Sequence, residues 1–198
     1  LREVSLAQES APAVRRFPIV VFSKVFQKLG PEETADLVAT VGWNGIECPV
    51  RKGGQIEPER VEDDLPRWVE ALQKRQCRVE IITTDIRNRQ DPFAERVLRT
   101  AARLGIKHYR MGSARYQRDR PIPDQLRELR SALKDLAVLN QELGLCAGFQ
   151  NHSGSDYIGA PVWDIFELIR DLDPRHLGVH FDIGHATVEG GYAWPTHA

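Results

Sequence analysis

Two hydrophobic periods alternate along this chain. From Pro18 onward, short runs rich in β-branched and aromatic residues give way to polar turns, then to apolar residues three and four apart. Residues 18–22 (PIVVF) form the first predicted strand. Pro31, tolerated in a helix's first turn, and the acidic Glu32 and Glu33 open a helix that runs to Val41. Residues 43–48 (WNGIEC) are the second strand. Residues 58–76 follow as a helix with Val61, Leu65, Trp68, Val69 and Leu72 on one face, and Pro66 inside it predicts a kink or a late start. Residues 78–84 (RVEIITT) are the third strand and 92–104 its helix, stopped by Gly105. The pattern continues through strand 106–112, helix 123–143 ending at Gly144, strand 145–150, helix 162–172 and strand 177–182.

Six βα periods without a hairpin signal predict a parallel sheet with right-handed crossovers. An open doubly wound sheet is the rival, but the first strand-to-helix turn, FSKVFQKLG, lacks the glycine fingerprint of its dinucleotide-binding form. The expected fold is α/β, a (β/α)₈ TIM barrel with about six βα units present. Such barrels usually need ~250 residues, so about two further units are expected in a longer polypeptide. Residues 17–198 then form one incomplete barrel, and 1–16 a polar, Ala-rich lead-in. The start at Leu1 suits a removed leader or an artefact, so the compartment, cytoplasmic or exported, stays open.

Composition narrows the function classes. The formal net charge is −1, which provides no global pull towards nucleic acid or an anionic membrane. A basic run at Arg103, Lys107, His108, Arg110, Arg115, Arg118, Arg120, Arg127 and Arg130 alternates with acidic residues and reads as a solvated face. No apolar stretch approaches the ~20 residues that span a bilayer. Cys48, Cys77 and Cys146 are spaced as neither a zinc knuckle nor a disulfide framework, so buried free thiols are expected.

In a barrel, reactive groups collect at the C-terminal strand ends. Strand two ends in Glu47 and continues into Arg51-Lys52-Gly53-Gly54-Gln55; strand three carries Glu80 and ends in Thr83-Thr84-Asp85. Strand four holds His108 and Arg110 on one face, strand five ends in Gln150-Asn151-His152, and strand six ends in Asp182, with His185 three residues later. Glu47, Glu80 and Arg110 can be an internal ion-pair layer or a substrate-binding group. Asp182 and His185 offer an oxygen and a nitrogen donor suited to Mn²⁺, Zn²⁺, Co²⁺ or Mg²⁺, although an Asp there can equally cap the following turn. His180 reads as an inner-layer residue, and Thr83 and Thr84 as strand formers. Trp194 is the one tryptophan placed to serve as a sugar platform.

Gly45-Ile46-Glu47, Tyr109-Arg110-Met111-Gly112, Gln150-Asn151-His152 and Phe181-Asp182-Ile183-Gly184-His185-Ala186 together resemble the xylose-isomerase-like barrel superfamily. That superfamily includes sugar phosphate isomerases and epimerases and endonuclease-IV-like enzymes. The resemblance implies one divalent metal, most often Mn²⁺, held by a strand-five Glu, a strand-six Asp, a strand-seven His and a strand-eight Glu. Asp182 matches the Asp, and His185 a histidine that contacts substrate or a second metal. Gln150 stands where the strand-five Glu is expected, and an amide cannot act as a general base.

The expected function is a metal-dependent sugar or sugar phosphate isomerase or epimerase working by proton transfer next to a carbonyl. Asp182, Gln150 and His185 are the expected metal ligands and His185 and His152 the catalytic groups. Glu47, Arg51, Arg110, Asn151 and Trp194 are expected at the substrate. Keto-glycoside cleavage, a non-catalytic sugar-binding barrel and abasic-site DNA cleavage are the rivals, the last disfavoured by near-neutral charge. The expected partner is a small carbohydrate, with neither nucleic acid nor membrane, and open strand edges leave homo-oligomer formation open.

Overall fold

A computed structural model of the chain describes residues 17–197; residues 1–16, read above as a polar lead-in, lie outside them. The order is β1 (Val20–Phe22), α1 (Pro31–Val41), β2 (Gly45–Pro49), α2 (Val61–Gln73), β3 (Arg78–Thr83), α3 (Ala94–Arg103) and β4 (His108–Arg110). Then come α4 (Ile122–Leu143), β5 (Cys146–Gln150), α5 (Val162–Ile169), β6 (Leu177–His180), α6 (Ile183–Gly190) and α7 (Trp194–His197). The six strands form one sheet in sequence order, every neighbouring pair parallel. Sequential parallel strands with helical crossovers are the wall of a (β/α) barrel, and six of its units are present.

The core lies between the sheet's outer face and the helices. Ile46, Cys48, Val79, Ile82, Tyr109, Ala147, Phe149 and Leu177 point outward from the strands onto Val38, Leu65, Leu72, Leu98, Leu133, Leu136 and Ile165. Alternation along each strand sends the intervening residues to the inner face. One polar knot is built into the core. Fully buried Asn140 accepts a hydrogen bond from the Tyr109 hydroxyl at 3.0 Å and donates one to the His176 carbonyl at 2.8 Å, tying α4 to β4 and to the entry of β6.

Two glycines permit close approach. A Cβ on Gly148 would lie 2.9 Å from the Cβ of His180, so β5 and β6 can bring their inner faces together only without a side chain there. A Cβ on Gly112 would lie 2.4 Å from the Asp85 carbonyl oxygen, where the loops after β3 and β4 are joined by a Gly112 N–H bond to the Ile86 carbonyl.

Several expectations shift. The helix expected over 58–76 begins as a short 3₁₀ turn, Pro58–Arg60, becomes α-helical at Val61 and ends at Gln73, with Pro66 inside it and not at its start. The segment after β6 is the helix α6, and Asp182 is its N-cap, the capping role the sequence left open for it. Cys48 and Cys77 are buried free thiols, but Cys146 is half-buried, since it sits on the sheet's open inner face. The basic run is largely a surface of exposed ion pairs, including Arg118–Asp156, Arg120–Glu128 and Arg127–Asp124. No helix among the described residues is long and apolar enough to cross a membrane.

Candidate active site

Inner-face positions at the C-terminal ends of β2 to β5 are joined in one polar chain. Glu47 Oε1 accepts a hydrogen bond from Thr83 Oγ1 at 2.5 Å and lies 2.8 Å from Arg110 Nε. Arg110 donates from Nη2 to Thr83 Oγ1 at 3.1 Å and from Nη1 to Gln150 Oε1 at 2.7 Å. Gln150 then donates from Nε2 to Asp182 Oδ2 at 2.9 Å. The Arg110 Nε–H is not aligned for a hydrogen bond to Glu47, so charge holds that contact. The Arg110 guanidinium also sits 4.5 Å from the centre of the Phe22 ring, a cation–π distance.

Thr83 therefore does more than form strand: its hydroxyl links a buried carboxylate to a guanidinium. Glu80, expected in the same layer, lies apart from it, beside His108 in a second hollow at the N-terminal ends of β3 and β4. The irregularity at Ile46/Glu47 explains this, because the register shift sets Glu47 opposite Ile81.

Electrostatics follow the burial. Burial lowers the Arg110 guanidinium below its ordinary value; Glu47 opposes this and nearby Arg51 adds to it. His180 is likewise pushed down, mainly by burial, with Arg110 lowering it further and Glu47 and Asp182 pulling the other way. Burial raises the Asp182 carboxyl, but the backbone N–H of His185, the His185 ring, the Gln150 amide and the Gly184 N–H outweigh it and hold the group below the ordinary carboxylate value.

Asp182 is where the two sides of the site meet. Its Oδ1 accepts from the His185 N–H at 3.0 Å, the N-cap of α6. Its backbone is gripped by fully buried Asn151, which donates to the Asp182 carbonyl at 2.8 Å and accepts from the Asp182 N–H at 2.6 Å. His185 Nε2 lies 3.8 Å from Asp182 Oδ2, and His185 Nδ1 lies 2.8 Å from Ser153 Oγ. His152 stacks beside His185 with ring centres 4.0 Å apart, and Tyr157 stacks on His152 at 4.4 Å. Arg115 lies 3.9 Å from the centre of the Tyr157 ring, so a guanidinium, a phenol and two imidazoles form one column ending at Asp182. His152 Nδ1 lies 2.8 Å from the Ser153 carbonyl, which can only accept; the proton therefore sits on Nδ1, and neutral His152 carries its lone pair on Nε2.

These residues surround a cleft of about 530 Å³. Arg51, Arg110, Gln150, His152, Asp182 and His185 line it as expected. Glu47 and Asn151 do not. Both are buried, Glu47 bracing Arg110 and Asn151 clamping Asp182, so their expected substrate contacts become supporting ones. Trp194, in the short α7, is not among the lining residues either. Phe22, Lys24, Thr83, Ser153 and Tyr157 belong to the neighbourhood and were not singled out as site residues. A strand-end position was the signal available for Phe22 and Thr83; Lys24 sits in a short 3₁₀ turn after β1 and Ser153 and Tyr157 in the loop after β5, whose courses the residue pattern does not encode.

The donors present decide whether a divalent metal fits. The Gln150 oxygen is engaged by Arg110 and its N–H by Asp182. Turning the amide over would set N–H against the guanidinium and oxygen against the carboxylate. No three acidic, thiol or imidazole side chains among the described residues converge into a metal-holding group. Among the described residues, Asp182, Gln150 and His185 as arranged therefore do not by themselves make a metal-holding set.

Residues 35–196 match the family described as xylose isomerase-like TIM barrel. Among solved structures, the chain is similar to a candidate xylose isomerase from Rhodospirillum rubrum, with TM-score 0.71 and 17% identity, covering 90% of this chain and 71% of that one. It is also similar to apo 3-keto-D-glucoside 4-epimerase from E. coli, with TM-score 0.69 and 14% identity, covering 89% and 72%. A shorter likeness, 30% identity over 64 residues, joins it to MJ1311, an uncharacterized protein of Methanocaldococcus jannaschii; it spans 32% of this chain and 22% of that relative's length. With the strand order, the strand-end site and the family match in agreement, this chain belongs to the xylose isomerase-like TIM barrel family.

Proposed function

We propose that the cleft isomerises or epimerises a sugar by proton transfer next to a carbonyl, with His152 as base and His185 as acid. The observation that carries this reading is the stacked imidazole pair beside Asp182, its two members anchored differently. His152 presents the Nε2 lone pair, which removes the proton from the carbon next to the carbonyl. The C–H electrons form the enediol double bond as the carbonyl oxygen takes a proton from His185. Return of the proton from His152 to the former carbonyl carbon, as the neighbouring enediol hydroxyl gives its proton to His185, completes isomerisation. Delivery of a solvent proton to the opposite face of the first carbon, as the first enediol hydroxyl returns its proton to His185 and His152 passes its own to solvent, completes epimerisation. Asp182, 3.8 Å from His185 Nε2, pairs with that ring while it still carries the proton it gives up, and Arg110 and Gln150 orient hydroxyls. An amide at position 150 cannot remove a proton, and the Asp182 oxygens are engaged by the Gln150 amide and the His185 N–H, which favours an imidazole as base. Similarity of fold to a sugar epimerase supports the substrate class.

The test is C–H exchange in D₂O, followed by NMR, with the protein expressed from its complete gene. Ketopentoses, ketohexoses and 3-keto-glycosides form the panel. Exchange on one of them, lowered about 10²–10⁴-fold in His152→Asn, supports the reading. No exchange on any of them by a folded protein overturns it.

A further inference from the structure

The cleft holds two cations that nothing in the described structure neutralises. Lys24 follows β1, Arg51 follows β2, and both line the cleft. Neither has an ion pair or a side-chain hydrogen bond among the described residues. Arg110, the third cation, is committed to Glu47, Thr83 and Gln150. Arg51 lies 5.9 Å from the centre of the Phe22 ring that Arg110 also covers, close enough for its charge to disfavour that of Arg110. Like charges held together without a counterion are an unfavourable arrangement that a bound anion relieves.

The two loops that carry these cations are stapled to each other. Buried Ser23, next to Lys24, places its hydroxyl 3.0 Å from the Glu47 carbonyl and 2.5 Å from Gln55 Oε1. The loop bearing Arg51 is closed by three backbone bonds: Arg51 N–H to the Ile56 carbonyl, Ile56 N–H to the Pro49 carbonyl and Gly54 N–H to the Arg51 carbonyl. Gly53 N–H adds a bond to Glu57 Oε1. Little ordering is left for a ligand to impose, so an anion bridging Lys24 and Arg51 meets a preorganised pair. The acids lining the cleft lie elsewhere along the rim, Asp85 after β3 and Asp182 after β6.

We infer that Lys24 and Arg51 form a subsite for an anionic group on the substrate, a phosphate or a carboxylate, while the sugar's reacting carbons face the imidazole pair. The inference rests on the carbohydrate reading above for the rest of the ligand, but the anion subsite is tested separately. Calorimetric titration of the protein from its complete gene uses inorganic phosphate, D-fructose 6-phosphate, D-galacturonate and D-fructose. Each is run against the wild type and the double variant Lys24→Gln/Arg51→Gln, whose thermal unfolding confirms that it is folded.

The expected result is that inorganic phosphate and one of the anionic sugars bind the wild type, the sugar about tenfold or more tightly than D-fructose. Both lose that advantage in the double variant, and both weaken with added salt. Whether D-fructose 6-phosphate or D-galacturonate shows the gain identifies phosphate or carboxylate as the group recognised. Anion binding that survives the double substitution overturns the subsite, as does a wild type that binds no anion. D-fructose binding as tightly as both anionic sugars removes the subsite and leaves the carbohydrate reading standing. Phosphate bound through both side chains, with no sugar bound at all, keeps the subsite and removes the carbohydrate reading.

Discussion

Glu47 and Arg110 lie 2.8 Å apart on strands separated by β3, each side chain about one-tenth exposed, with Thr83 between them hydrogen-bonded to both. A pair buried this deeply owes its stability to remaining whole, because removing Arg110 leaves the Glu47 carboxylate in the interior without its counterion.

Arg110→Met is therefore expected to lower the unfolding free energy by about 3–5 kcal/mol, the usual cost of leaving one member of a buried pair alone. Glu47→Leu added to it should recover most of the loss. Urea unfolding midpoints of the two variants and the wild type check this; a double variant no better than the single one means that the pair's charge is not what the fold depends on.

Gln150→Glu would set a second carboxylate between Asp182 and Arg110, in place of the amide whose oxygen is engaged. We expect Mn²⁺ to bind this variant at least about tenfold more tightly than the wild type, because a carboxylate is the better ligand for a hard cation. Mn²⁺ titration followed by electron paramagnetic resonance reads the difference. Equal affinity in the two proteins would contradict the account of Gln150 given above.

His180 supplies a pH dependence. Its folded value lies below the ordinary 6.5, first because of burial, so the unfolded chain takes up this proton at a higher pH than the native one. The contribution to stability is therefore whole above about pH 6.5 and is eroded as pH falls from there towards the lowered folded value. His180→Asn should flatten the fall in unfolding free energy between about pH 7.5 and 5.5. An unchanged slope would mean that the ring titrates alike in both states.

Asn140 predicts a purely structural cost. Asn140→Ala strands the Tyr109 hydroxyl, while the His176 carbonyl keeps its bond from the Ala147 N–H. The expected loss is about 1–3 kcal/mol for the hydroxyl left unpaired in the core. Tyr109→Phe introduced with it should lessen the loss, and thermal unfolding of both variants measures it.

The barrel wall was legible because its signals are local and repeat. Gly105 and Gly144 ended helices where expected, and alternation placed Glu47, Arg110 and Gln150 on one face. The site was legible only as far as strand ends carry it. Glu47 and Asn151 were recognised as important polar residues, but how near each comes to the cleft depends on a register shift and on a side-chain-to-backbone clamp between neighbouring strands. The His152–His185 stack depends on the course of the loop after β5, where Gly154 has φ 128 and Asp156 a left-handed φ of 66. Neither residue announces from its identity alone where the two rings will meet.

The Asn151 clamp has a consequence of its own. Its side-chain amide offers the Asp182 backbone one donor and one acceptor, as a peptide group on a neighbouring strand would. The sheet thus gains an extra rung beyond the last β5–β6 pair, Gln150 and His180, borrowed from a side chain. Aspartate is isosteric there but offers no donor, glutamine carries the amide one methylene too far, and serine is too short to reach both backbone groups. Position 151 is therefore constrained by the backbone it joins: a buried residue outside the cleft lining sets how far apart the two halves of the cleft can stand.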